Sequence, residues 1–329
     1  MQRPLDWGQR KALEKIDADL AARARARTAA LAAGRIGLAE GGPWLLLASG
    51  EPGPVRAGSA PTWFVNGRGM TFTVIPGPVE FVMGSPASEQ GHYPNETQHR
   101  RRIGRTYALA TKAVTVAQWK QFLKERPRMP QNYGPQYSPQ EDCPINGVNW
   151  FMAAAYCNWL SEKEGIPREQ WCYPEKIGPE MRMAPGYLKR TGYRLATEAE
   201  WEYACRAGAT TNRYYGLSLD LLPRYAFYLG NSKECSWPVG QKRPNDAGLF
   251  DMHGNMWTWC QDAYTSEYPK DGTVEDKEDI RDIRDRSSRV LRGGSFFLHA
   301  PDVRSSNRNS DRPSLRSINF GLRVCRTYP

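Results

Sequence analysis

Glycine and proline interrupt this chain throughout and limit the length of any helix or strand that it can form. Its 329 residues include 30 Gly and 25 Pro, and proline removes a backbone N–H donor and fixes φ. Aromatic residues are also frequent, with 11 Trp, 16 Tyr and 10 Phe, which a disordered chain would not carry. The composition therefore predicts a globular, loop-rich protein built from short elements.

Short helices are predicted where a capping residue precedes an apolar periodic segment. Thr115, Asn149 and Thr197 each stand at such a position. Glu200 completes a capping box with Thr197, and Gly208 is expected to end that helix. No long helix is evident after residue 209.

Strands are predicted between residues 62 and 86, where β-branched and aromatic runs alternate with Gly and Pro. A hairpin turn is expected at Asn66 and Gly67. The charged run from Glu275 to Arg289 is expected to be a solvated loop. The pattern as a whole predicts an α+β domain over 62–329, preceded by a helical extension and a Gly/Pro-rich linker over 1–61.

Charge and cysteine usage restrict the location and the partners of the protein. The net charge is +10, but basic residues are mixed with acidic ones along the chain, so a nucleic-acid partner is not expected. The first residues lack the apolar core that is typical of a signal peptide, and no apolar run is long enough to be expected to span a membrane. The seven cysteines, an odd number without CxxC spacing, favour reduced thiols and the cytoplasm.

Four stretches together resemble one known family. They are FVMGS (81–85), YRLATEAEWEYACRAG (193–208), GLFDMHGNMWTWCQD (248–262) and the C-terminal segment VLRGGSF to GLRVCR (290–326). In this order they resemble the formylglycine-generating enzymes, or sulfatase-modifying factors. The resemblance implies a C-type-lectin-like α+β fold with short sheets, few helices and extensive loops.

The resemblance also implies where a catalytic site would lie. Members that oxidise a target cysteine bind copper through two cysteines that follow the RGGS motif. Here those positions are Leu298 and Val303, while His299 matches a neighbouring histidine. Cu(I) prefers soft ligands such as thiolates, so we expect no catalytic residues here. The alternative is a redox enzyme with relocated metal ligands.

A second stretch of the family binds calcium. The resemblance assigns a carboxylate of Asp251 and the main chain of Gly254 and Met256 to that site, but Thr258 stands where the family has Glu. Calcium needs six to eight oxygen ligands. The alternative is a structural turn in which two tryptophans fill the core. We expect no other cofactor.

The segment 292–329 contains no Lys, Glu, Gln, Met or Trp. Codons that end in a pyrimidine cannot encode these five residues, and diversity-generating retroelements mutate adenines in such codons. The segment resembles the C-terminal variable region of retroelement-diversified proteins. On this hypothesis the display positions are Phe297, Leu298, His299, Asp302, Asn307, Asn309, Ser310, Asp311, Leu315, Ser317, Ile318 and Asn319.

The sequence thus predicts a non-catalytic ligand-binding protein that displays a C-terminal surface on a rigid scaffold. A protein ligand is expected, because a small molecule would need a concave pocket. The arginines of this segment are expected to bind loop carbonyls. An ordinary regulatory domain of the same family remains the alternative.

Overall fold

The computed structural model describes residues 62–130, 133–268 and 272–329. The helical extension predicted over 1–61 lies outside the described residues. The helices described are α1 (Val116–Glu125), α2 (Trp150–Lys163), α3 (Glu198–Arg206) and the short α4 (Leu222–Tyr225). The strands described are β1 (Trp63–Val65), β2 (Thr71–Ile75), β3 (Val79–Met83), β4 (His99–Ile103), β5 (Tyr107–Ala110), β6 (Met181–Arg182), β7 (Tyr193–Leu195), β8 (Trp257–Ala263), β9 (Thr273–Glu275), β10 (Asp282–Ile283), β11 (Arg289–Arg292), β12 (Arg308–Asp311), β13 (Phe320–Gly321) and β14 (Val324–Thr327).

The three predicted helix starts are confirmed. Thr115 and Thr197 form capping boxes, and Asn149 accepts a hydrogen bond from the backbone N–H of Met152. The end of α3 differs slightly from the prediction, because Ala207 already has a left-handed backbone with φ 45°. Local capping chemistry therefore determines where these helices begin.

Short strands make four small sheets. The largest has the order β1-β2-β5-β14-β7 with antiparallel neighbours. A second sheet has the order β12-β11-β8-β13, in which β13 runs parallel to β8. The others are β3-β4-β9 and the pair β10-β6. The C-terminal strand β14 lies inside the largest sheet, so the end of the chain is part of the core.

The largest sheet is covered on both faces. Ala108 and Ala110 of β5 belong to an apolar cluster that includes Trp159 of α2, while Leu109 belongs to a second cluster with Trp201 of α3. Alternate residues of a strand point to opposite faces, so this strand joins the two clusters. Burial of apolar area on both faces contributes most of the stability of such a sheet.

The predicted hairpin at Asn66 is confirmed, with a longer loop than two residues. Val65 pairs with Thr71, and the Asn66 side chain accepts hydrogen bonds from the backbone N–H groups of Arg68 and Met70. The left-handed position is Gly69, with φ 71°. An Asx-type side-chain contact therefore closes this turn.

The prediction that residues 275–289 form a solvated loop is wrong. Asp276 is 7% exposed and binds Arg101 and Arg105. Glu278 accepts hydrogen bonds from the backbone N–H groups of Gly186 and Leu188 at 2.7 and 2.8 Å. Charged side chains persist in the interior when they are paired, and pairing with distant residues is not visible in local sequence.

Helix α3 carries buried glutamates that bind arginines from several elements. Glu200 accepts two hydrogen bonds from Arg194 of β7, at 2.6 and 2.8 Å, and one from Arg105 at 2.8 Å. Burial acts to raise the pKa of Glu200, but Arg105 and Arg194 outweigh it and lower that pKa to about 2. The carboxylate of Glu200 is therefore ionised in the folded state at neutral and mildly acidic pH.

Within the described ranges, no helix has the length and apolar character needed to cross a membrane.

Replacing Glu200 by Gln should reduce the free energy of unfolding at pH 7 by about 3–5 kcal/mol, because two buried guanidinium groups lose their counter-charge. The unfolded pKa of a glutamate is about 4.3. The stabilisation is therefore present above that pH and is lost as pH falls toward the folded value of about 2. Urea unfolding should show that the free energies of unfolding of the wild type and of the Glu200→Gln variant converge as the pH is lowered from 6 to 2.

The exposed Glu169 provides a control, since Glu169→Gln removes the same charge from the surface and should change stability by less than about 0.5 kcal/mol. A difference between wild type and Glu200→Gln that stays constant down to pH 2 would contradict this assignment.

Candidate ligand-display surface

A tight turn follows β11 and begins the segment predicted to display a ligand surface. Gly293 and Gly294 have φ values of 96° and 79°, a region that favours glycine. A Cβ on Gly293 would lie 3.0 Å from the Trp201 ring and 3.3 Å from the Met252 carbonyl oxygen. The Gly293 carbonyl accepts a hydrogen bond from Gly254 at 2.7 Å. The two glycines therefore let the chain reverse against the core.

Buried arginines bind the loops that follow this turn. The sequence predicted such contacts for arginines of 292–329, such as Arg292, and did not predict them for Arg213. Arg292 donates to the carbonyls of Ser306 and Asn307 at 2.7 and 2.8 Å and pairs with Glu202. Arg213 donates to the carbonyls of Val303 and Ala300 at 2.8 and 2.9 Å. Each guanidinium offers several donors in a rigid geometry, so one side chain binds more than one turn of loop.

Arg304 and Arg308 connect the same loops to distant parts of the chain. Arg304 binds both carboxylate oxygens of Glu96 at 2.7 Å. Arg308 binds both carboxylate oxygens of Glu198 at 2.8 and 2.9 Å. Sequence analysis did not find Glu96, because its partner lies about 200 residues away and its local context, PNETQ, contains no periodic or motif signal.

The positions that hold the copper thiols in the resembled family lie in an apolar cluster. Val303 is fully buried with Leu222 and Ala226, and Leu298 packs against this cluster. His299 is exposed and precedes a short 3-10 helix, Ala300–Asp302. Aliphatic side chains offer no ligand to Cu(I), so these residues do not fit a copper site.

The predicted display positions form three groups instead of one continuous set. The Phe297 ring is tilted against Phe296 and edge-on to Tyr137, with ring centroids 4.4 and 6.1 Å apart. Asn319 donates to Ser295 at 3.2 Å, and Ser317 donates to Asn319 at 2.7 Å. The first group consists of Phe297, Leu298, Ser317, Ile318 and Asn319, the second of His299 and Asp302, and the third of Asn309, Ser310, Asp311 and Leu315.

The third group follows the edge of a sheet. Asn309, Ser310 and Asp311 lie on β12, which pairs with β11 on one side only. The Ser310 backbone N–H donates to the Asn309 side chain at 2.8 Å. Side chains thus satisfy part of the open edge, which reduces uncontrolled strand pairing. Leu315 is 41% exposed beyond this strand.

One predicted display residue does not reach the surface. Asn307 is 6% exposed, and its amide donates to the Asp302 carbonyl. Its side chain supports the loop from within, so Asn307 is not part of the displayed surface. The cause is a local side-chain to backbone hydrogen bond, which asparagine forms readily in turns.

The seven cysteines carry free thiols, and Cys235 alone among them is half-buried. Burial raises the pKa of Cys172 to about 11 and that of Cys205 to about 12. Cys205 Sγ lies 3.6 Å from His253 Nε2, and burial lowers the pKa of that histidine well below its usual value. A thiolate is the reactive form of cysteine, so this buried pair is suited to packing.

The residues assigned to calcium do not supply the ligands that this ion requires. Asp251 accepts a hydrogen bond from Gly240 at 2.8 Å, and burial raises its pKa while Arg323 and two lysines act to lower it. The Gly254 carbonyl accepts a hydrogen bond from Met256 at 2.8 Å. One carboxylate among cations does not fit a Ca²⁺ site. The alternative, a turn beside the buried Trp257 and Trp259, agrees with their 4% and 0% exposure.

Across the part of the chain that the structure describes, no three His, Cys, Asp or Glu side chains lie together in a way that would hold a metal ion.

Comparison with known proteins identifies relatives over the same region. A family model described as sulfatase-modifying factor enzyme 1-like domain matches residues 65–328. The formylglycine-generating enzyme of Streptomyces coelicolor is 29% identical over 273 residues, which cover 74% of this chain and 85% of that protein.

Two solved structures have a similar fold. PvdO from Pseudomonas aeruginosa superposes with a TM-score of 0.65 and 25% identity, covering 83% of this chain and 100% of that one. Treponema denticola variable protein 1 gives a TM-score of 0.64 and 24% identity, covering 79% of this chain and 95% of that one. The predicted fold class, α+β with short sheets and extensive loops, is confirmed.

Restoring both thiols should restore copper binding. We expect the wild-type protein to leave Cu(I) with bicinchoninate in a competition assay, because Leu298 and Val303 offer no ligand. The double variant L298C/V303C should gain Cu(I) binding, since two thiolates form a soft site. The single variants L298C and V303C are the matched controls and should bind much more weakly. Wild-type binding as tight as that of the double variant would contradict this assignment.

Proposed function

The chain belongs to the sulfatase-modifying factor enzyme 1-like family, and from this premise we propose that it is a non-catalytic ligand-binding member. It presents its C-terminal loops to a protein partner. The observation that carries the proposal is the apolar cluster around Leu298 and Val303. The region that follows the RGGS turn thus lacks the ligands for oxidation chemistry and retains a rigid scaffold.

The scaffold supports a recognition role because it separates structural from displayed side chains. Arg292 and Arg304 are fully buried, and Arg308 is 4% exposed. In the same segment, His299, Asn309 and Leu315 are exposed. Loops held by a rigid framework can change their exposed residues without loss of the fold. This is the property that a binding surface of variable sequence requires.

A protein ligand is favoured by the spread of the displayed residues. The first group comes from the residues after the RGGS turn and from residues 317–319, the second from a 3-10 helix and the residue before it, and the third from the edge strand β12 and the chain that follows it. Phe297 and Ile318 offer apolar area, while Asp302 and Asn309 offer hydrogen-bonding groups. Protein interfaces combine apolar contacts with a polar rim over a broad area, whereas small molecules need a concave site.

We further propose that retroelement mutagenesis diversifies these positions. The permitted residue set of 292–329 supports this, since Lys, Glu, Gln, Met and Trp are all absent there. The free thiols of all seven cysteines support a reducing compartment, and the cytoplasm is the proposed location.

An oxygen-uptake assay tests whether the protein catalyses oxidation of a cysteine. The protein, incubated with copper, oxygen and a cysteine-containing peptide, should consume no more oxygen than copper and buffer alone. The formylglycine-generating enzyme of Streptomyces coelicolor serves as the positive control. Oxygen uptake with conversion of the peptide cysteine would refute the proposal.

The DNA around the locus tests diversification. We expect a near-copy of the codons for 292–329 beside a reverse transcriptase gene, with differences confined to adenines of the copy. Differences at other bases, or no copy, would contradict diversification and leave an undiversified binding domain of the same family.

Displayed and scaffold positions should differ in their tolerance of substitution. The free energy of unfolding of the triple variant H299D/N309H/L315S should lie within about 1 kcal/mol of the wild-type value, because exposed side chains contribute little to stability. Arg308→Lys should lower the free energy of unfolding by about 2–4 kcal/mol, because lysine cannot reproduce the bidentate contact with the buried Glu198. Chemical denaturation measures both values. Equal losses in the two variants would contradict the division.

A further inference from the structure

We propose that a cleft beside the display surface binds an arginine or lysine side chain of the protein partner; this inference rests on the proposed function. The cleft has a volume of about 500 Å³ and lies between the loop that precedes β4 and the turn that follows β8. Its lining residues are Tyr93, Pro94, Asn95, Thr97, Ser266 and Glu267.

The buried Arg308 joins the two walls of the cleft. Its guanidinium donates to the Asn95 carbonyl at 3.0 Å and to the Thr265 carbonyl at 2.9 Å. Asn95 Nδ2 donates across the same gap to the Tyr264 hydroxyl at 2.9 Å. These contacts hold the shape of the cleft in the absence of ligand, which lowers the entropic cost of binding. Because Glu198 neutralises Arg308, this arginine adds little net positive charge to the cleft.

The lining is rich in acceptors and contains no cationic side chain. Glu267 is the one carboxylate among the lining residues, and it is exposed. The Thr97 hydroxyl already donates to the Pro94 carbonyl at 3.2 Å, so its oxygen is left as an acceptor. One N–H of the Asn95 amide donates to the Tyr264 hydroxyl, and the Asn95 Oδ1 atom is a buried acceptor without a hydrogen-bond partner. A group that carries several donors and a positive charge complements such a lining.

An exposed aromatic ring forms one end of the cleft. Tyr93 is 45% exposed, although Arg304 lies 5.8 Å from its ring centroid. Glu89 and Glu96 already neutralise that arginine. An aromatic face attracts a cation through its quadrupole. The ring and the Glu267 carboxylate together provide the two elements that recognise an ammonium or guanidinium group.

A displayed residue adjoins this end of the cleft. The Tyr93 hydroxyl donates to Asp302 Oδ1 at 2.8 Å. Asp302 is one of the positions proposed to vary, so its replacement would change both the position of the ring and the local negative charge. The cleft thus supplies a constant anchor for a basic side chain, and Asp302 modulates that anchor according to the displayed sequence.

N-acetyl-arginine amide is a suitable probe, with N-acetyl-citrulline amide as its neutral counterpart. NMR titration of the full-length protein should show millimolar binding of the arginine compound, with shifts at Tyr93 and Glu267, and much weaker binding of the citrulline compound. Glu267→Gln should weaken binding about three- to fivefold, the effect of one exposed ion pair. Tyr93→Leu should have a similar effect, whereas Tyr93→Phe keeps the ring and should retain most of the affinity.

Glu169→Gln is the matched control, since it removes an exposed carboxylate that does not line the cleft, and it should leave binding unchanged. Equal binding by wild type and Glu267→Gln, or equal binding of the two probes, would overturn the assignment. Tighter binding of putrescine than of the arginine compound would assign the cleft to a free polyamine and would also overturn it. Oxygen uptake by the protein incubated with copper would refute the proposed function alone.

Discussion

The buried glutamates of α3 are the interaction on which this fold depends. Glu198, Glu200 and Glu202 are at most 4% exposed. Their arginine partners come from β7, β11, β12 and α3 itself, and from Arg105, two residues before β5. Removing one partner from a buried ion pair leaves an uncompensated charge. All of these elements must therefore be in place at the same time, which joins the largest sheet to the sheet that carries the display loops.

Such ion pairs contribute less to the net stability of the fold than their mutual attraction suggests. The desolvation of two charges offsets much of their attraction, so an apolar cluster of the same volume would be about as stable. The guanidinium groups also bind carbonyls of loops that have few regular hydrogen bonds, as Arg292 does with Ser306 and Asn307. In a loop-rich domain this replaces the hydrogen-bond ladders that longer strands would provide.

Local signals in the sequence predicted several elements well. Capping residues located α1, α2 and α3 because a cap bonds to backbone groups within three residues of itself. The resemblance predicted the fold and placed Leu298 and Val303 at the positions where the resembled family has two thiols. The prediction of a solvated loop over residues 275–289 is wrong, because carboxylates of this segment bind N–H groups and arginines that are far away in the chain. The prediction that Asn307 is displayed is wrong, because a hydrogen bond to the Asp302 carbonyl holds its side chain in the interior.

The sequence by itself determined the fold class, the helix starts, the aliphatic residues at positions 298 and 303 and the restricted residue set of 292–329, because these depend on residue identity and short-range order. Only the tertiary structure decided which charges are buried in pairs, which display positions reach solvent and where the cleft beside Tyr93 lies. These properties arise when residues about 40 to 210 positions apart, such as Arg308 with Thr265 and Asn95, come into contact. No local pattern of residues specifies such contacts.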